Sequence, residues 1–138
     1  MSKISPVIYI MARRLIAFEE SQSKPSNPNA AALVCDKLRF DLAKLAGSAG
    51  FASLLSRALA MAKAQEPALK GVEVRADGTL EGLDTLSRNG DNGGILLVAQ
   101  FLALLVTFIG ETLTRRVVHD IWPQIPADTT DLKDEERS

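Results

Sequence analysis

The residues whose types and order best suit joint chemistry are Glu111, Arg115, His119 and Asp120, which follow one another at spacings of 4, 4 and 1. Side chains four apart share a helix face. A carboxylate, a guanidinium and an imidazole would therefore rise one above another just beyond Gly110. Such a row could line a small-molecule pocket, with Glu111 facing a cationic group. The same spacing also describes a structural Glu111–Arg115 ion pair at the rim of a core. His119, in the last turns of the same helix, would be favoured there as a cation by the helix dipole.

Other chemistries fail on residue counts. His119 is the only histidine and Cys35 the only cysteine, which falls short of a zinc ligand set. A His-Asp metal phosphohydrolase needs several histidines, so His119-Asp120 alone makes no such centre. Cys35 and His119 could in principle pair as nucleophile and base, but Cys35 lies among apolar neighbours where a small buried thiol is commonplace. Gly90–Gly94 is glycine-rich and leads into a helix, yet lacks the Lys-Ser/Thr that completes a phosphate loop. Its helix start could at most hold an anion through free N–H groups. Arg13-Arg14 and Arg115-Arg116 are pairs, not patches. With a net charge of −1 and no basic-aromatic interleaving, nucleic acid is not an expected partner. No catalytic, cofactor or metal residue is assigned, and a non-enzymatic protein is expected.

The elements that must hold these residues are helical. Val7, Ile8, Met11, Leu15 and Phe18 recur at helical spacing and predict a first helix from about Val7 to Glu20. Ser21–Asn29 is a polar loop, with Asn27 as cap and Pro28 opening the next helix. That second helix runs from about Asn29 to Ala46 on Val34, Leu38, Leu42 and Leu45, widened by Leu33, Cys35 and Phe40, and Gly47 stops it. A third, starting at Ser48 and stopping before Pro67, carries Phe51, Leu54, Leu55, Ala58, Leu59 and Ala62 on one face. Within Gly71–Leu86, Val72 and Val74 alternate with Glu73 and Arg75, and Asp77-Gly78 suits a tight hairpin turn. Asp91 or Asn92 then caps a last helix from about Gly94 to Ile121, loosened at Gly110 and ended by Pro123.

The run Ile95–Ile109 within that last helix is apolar all round except for Gln100 and Thr107. Such a helix is either the centre of a core or a membrane span. Its 15 residues reach about 22 Å, short of the roughly 30 Å of hydrocarbon. The amphipathic stripes elsewhere need a common partner, which favours the core. Insertion of residues 95–110 in a membrane is the alternative.

A chain of 138 residues with 46% hydrophobic and 24% charged residues fits one globular domain. The single domain is expected over 1–122. Met11 offers an alternative start that would make 1–10 an extension. Residues 123–138 hold Asp128, Asp131, Asp134, Glu135 and Glu136 against Lys133 and Arg137, and are expected to be a disordered acidic tail. The apolar patch Val7–Ala12 precedes Arg13-Arg14, the reverse of a secretory signal, and a lone cysteine fits a reducing, cytoplasmic setting. Ala49–Ala62, Ala76–Leu83 and Leu104–Val118, with Trp122-Pro123 after them, resemble a group of small uncharacterised bacterial proteins with no established function. The resemblance implies a bacterial source and one compact domain, and carries over no site residues.

The expected architecture is thus mainly α: a four-helix domain with a long, apolar, central C-terminal helix and a small two-stranded β-ribbon before it. The expected partner is another protein or a second copy, through the excess apolar helix surface.

Overall fold

The computed structural model describes residues 6–22, 30–82, 91–123 and 125. Helix α1 (Pro6–Gln22) leads to α2 (Ala30–Gln65), then a 3-10 turn (Pro67–Gly71), strands β1 (Glu73–Val74) and β2 (Leu80–Glu81), and helices α3 (Asp91–Ile109) and α4 (Glu111–Ile121). The mainly helical reading with its small antiparallel ribbon therefore holds. Asn27, Pro28, Gly90, most of the loops around them and the acidic residues from 126 onward lie outside the described residues.

Each helix buries the stripe its spacing dictates. On α1 the buried positions are Ile8, Met11, Ala12, Leu15, Ile16 and Glu19, one face at 3–4 spacing. On α2 they are Ala30, Ala31, Val34, Cys35, Leu38 and Leu42, then Phe51, Leu55, Ala58, Leu59 and Ala62. The two sets are separated by a kink at Gly47, whose φ of 78° and ψ of 162° are not helical. Around this kink residues 44–49 are all exposed. Leu45 is consequently not part of the core stripe, and Phe40 points outward as well; they are 59% and 64% exposed.

The apolar α3 is the centre of the domain. Residues 97–102, Leu104 and Leu105 are all buried, because α1, α2 and α4 all pack on α3. Toward its end Thr107 and Phe108 are exposed. This helix is central but not C-terminal, which corrects the expectation of one helix from Gly94 to Ile121. Gly110 has a φ of 91°, a left-handed conformation that glycine adopts without a Cβ penalty. The helix ends there and α4 starts afresh, with Thr114 donating both its N–H (3.1 Å) and its Oγ1–H (2.7 Å) to the Gly110 carbonyl. Among the described residues there are four helices: the second and third expected helices meet at the Gly47 kink within α2, and the last expected helix divides at Gly110.

Buried residues continue past α4. Trp122 is fully buried and Ile125 is 6% exposed within the same core. The Ile125 N–H donates to the Trp122 carbonyl at 3.1 Å.

In the ribbon, Glu73 faces Glu81 and Val74 faces Leu80. The turn is not the two-residue type that Asp-Gly first suggests. That type needs positive φ at both central residues, and no non-glycine residue among those described has one. Instead Gly78 N–H donates to the Arg75 carbonyl (2.9 Å), Gly78 alone is left-handed, and Arg75 N–H closes on the Thr79 carbonyl (2.8 Å). This is a three-residue loop with glycine at its left-handed position. Asp77 steadies it by accepting from Thr79 N–H (3.0 Å) and Thr79 Oγ1–H (2.7 Å).

Gly78 also lies against α2. A Cβ there would sit 2.8 Å from Phe51 Cδ2 and 3.2 Å from Arg39 Cδ. Gly78→Ala is expected to lower stability by about 2 kcal/mol, roughly 1–2 from the left-handed backbone and the rest from the displaced ring. Urea unfolding checks this; a loss no larger than the backbone part would mean that the ribbon does not dock on α2.

Candidate functional site

The structure places the four α4 residues in two environments. Glu111 and Arg115 are half-buried, whereas His119 and Asp120 are exposed. Glu111 Oε2 is buried without a hydrogen-bond partner, and the ion pairs among the described residues do not include Glu111–Arg115. The new helix start at Gly110 sets the orientation of this row independently of α3. Among the described residues no group of three or more His, Cys, Asp or Glu is placed to hold a metal ion.

Cys35 and His119 are not joined either: the thiol is buried on α2 and the imidazole exposed on α4. Burial, reinforced by the neighbouring Asp36 charge, pushes the Cys35 thiol up from 9.0 to about 12. A thiol of that acidity is protonated at neutral pH and is a poor nucleophile. The consequence for stability has a definite sign. Between pH 9 and about 12 the unfolded chain sheds this proton and the folded chain keeps it. Stability is therefore complete below pH 9 and falls as pH rises, by about 1.4 kcal/mol per pH unit. Chemical denaturation at pH 8 and pH 10 should show a larger alkaline loss in the native protein than in Cys35→Ala. Equal losses in the two would show that Cys35 is not sealed in the core.

A polar site that spacing did not reveal lies deeper. Glu19, 3% exposed on α1, accepts from Trp122 Nε1–H at 2.8 Å and from Lys37 Nζ at 2.6 Å, both on Oε2. Trp122 is wholly buried, while the Lys37 side chain is 45% exposed. The arrangement ties the end of α4 to α1 and α2. Engaged by an indole and an ammonium, this carboxylate is suited to positioning helices.

An open concave feature lies on the other side of α1. A groove of about 380 Å³ is walled by Ile10, Arg13, Arg14, Ala17 and Glu20, with Ile16 and the α3 residue Ile95 also lining it. Ile16 is buried, Ile95 half-buried and Ile10 47% exposed. Arg13, Arg14 and Glu20 are exposed and none joins an ion pair among the described residues. The helical period explains the alignment: positions 10, 13, 14, 17 and 20 follow one strip of α1. The Arg13-Arg14 pair was legible in the sequence, but the groove needed Ile95 from a distant helix.

Compared with protein-family models, curated proteins and solved structures, the chain matches none.

Proposed function

We propose that this chain is a small non-enzymatic cytoplasmic protein that works through protein–protein contact, with another protein or with a second copy. The observation that carries the proposal is the α1 groove, where an apolar floor meets guanidinium and carboxylate groups with no ion-pair partner among the described residues. Outward-facing Phe40, Leu45 and Phe108 add apolar surface elsewhere. A surface of this kind gains most when a second molecule covers the apolar floor and satisfies the charges at its rim.

The membrane alternative concerns residues 95–110. Residues 97–102, Leu104 and Leu105 of that stretch are buried, and insertion would require α1, α2 and α4 to give up their common partner. Among the described residues the segment that passes for a span by length and composition alone is Ala30–Gln65, with 28% of its most apolar window buried, and the kink at Gly47 interrupts it. A pocket at Glu111, Arg115, His119 and Asp120 is the remaining alternative, and the exposure of the last two weakens it.

Size-exclusion chromatography with light scattering on the detergent-free full chain tests the proposal. A defined complex is expected, formed by the chain alone or after addition of cell extract. A species that stays monomeric under both conditions overturns the proposal, and recovery only with detergent hands the function to a membrane.

A further inference from the structure

We propose that the α1 groove docks α1 of a second copy, antiparallel and centred on Ala17, closing a two-fold homodimer. This inference rests on the contact function proposed above and specifies its partner. The exposed strip of α1 is self-complementary about Ala17. Arg14 and Glu20 each lie three residues from it, on opposite sides, a rise of about 4.5 Å either way. A two-fold axis through Ala17 sets Arg14 level with the partner's Glu20, with Arg13 about 1.5 Å further along the axis. The same axis repeats both contacts on the other side, as an isologous interface must. A parallel pairing would instead oppose arginine to arginine and glutamate to glutamate, at a cost in repulsion.

Size and exposure agree with this pairing. Ala17 is exposed at the middle of the strip, and a small residue at a crossing lets helix axes approach to about 8 Å. Ile10, 47% exposed, and Ile95 supply apolar surface to cover. The carboxylate of Glu20 would meet the partner's Arg14 guanidinium, a charge-assisted donor, with Arg13 adding positive charge nearby, and none of the three has an ion-pair partner within the described part of its own chain. A closed pair also leaves no free copy of the surface, so growth stops at the dimer.

Charge exchange across the axis tests the pairing in the full-length protein. Two variants are needed, Glu20→Arg and the double change Arg13→Glu with Arg14→Glu. All three positions are exposed, and circular dichroism confirms that each variant folds. In sedimentation velocity over a concentration series, the native chain should dimerise reversibly, more weakly at high salt. Each variant alone should dissociate at least about tenfold more readily, since like charges then face one another. Mixed in equal amounts, the two variants should recover a heterodimer, because every opposed pair is again opposite in sign. Native dimers matched by both variants would overturn the α1 pairing while leaving the contact function standing. A native chain that associates only with a component of cell extract would likewise exclude self-docking and keep the contact function. Loss of such a partner by the arginine changes but not by Glu20→Arg would point to an acidic protein in the groove. A native chain monomeric alone and in extract would overturn both.

Discussion

Trp122→Ala should lower the stability of the domain by about 3–5 kcal/mol, the cost of emptying a fully buried tryptophan site. The loss has two separable parts. The larger is packing, since the indole closes the core where α4 ends. The smaller is polar: Trp122 Nε1–H donates to Glu19 at 2.8 Å inside the protein, and a hydrogen bond to a charged group contributes about 1.5–3 kcal/mol. Glu19→Ala should therefore also be costly, because it leaves a buried indole N–H without this acceptor. Lys37→Ala should cost less, about 1 kcal/mol, since the ammonium side of the pair is 45% exposed and open to water. The expected order is Trp122, then Glu19, then Lys37, read by urea unfolding followed by far-UV circular dichroism. A double-mutant cycle between Glu19 and Trp122 isolates the polar part. If Trp122→Ala costs under about 1 kcal/mol, neither the end of α4 nor Ile125 beyond it is part of the core.

This latch also marks where sequence reasoning stops. Glu19 and Trp122 are 103 residues apart, and nothing in local spacing joins them. A buried stripe is legible because the helical period repeats every few residues. A single carboxylate at the end of that stripe looks like any residue of the solvent face. The environment of the α4 row was hidden for a related reason. Its spacing of four was readable, but its orientation depends on Gly110, whose left-handed φ of 91° starts a new helix. Gly47 worked the other way: a glycine after an apolar stripe was read as a stop, and the backbone does leave the helical region there. The hairpin position was readable from alternation and Asp77-Gly78, while its loop length was not, since the same dipeptide serves two turn geometries. Of the candidate groove, Arg13 and Arg14 were visible as a pair. Their value depends on Ala17, Glu20 and Ile95 sharing one surface, which only the packing of α1 beside α3 provides.

Phe51→Ala is expected to cost about 3–5 kcal/mol and to free the ribbon from the helices. Phe51 is fully buried just after the α2 kink. Its ring meets Phe101 of α3 edge-on, with centroids 5.3 Å apart and planes at 67°. Such a pair adds about 0.5–1.5 kcal/mol beyond the area it buries. The ring also faces Gly78, the left-handed residue of the hairpin. One side chain thereby joins α2, α3 and a two-stranded ribbon too small to persist alone. Hydrogen exchange should show this directly: the Arg75 amide, bonded to Thr79 across the turn, should lose more protection in Phe51→Ala than the amides of α3. The two changes Phe51→Ala and Gly78→Ala should then be non-additive. In the native background a Cβ at 78 collides with the ring at 2.8 Å; with the ring gone, only the left-handed backbone cost of roughly 1–2 kcal/mol remains. The double variant should accordingly be more stable than the sum of the two single losses predicts. Strict additivity would mean that Gly78 and Phe51 do not touch, and the ribbon would have to be held to the domain by other residues.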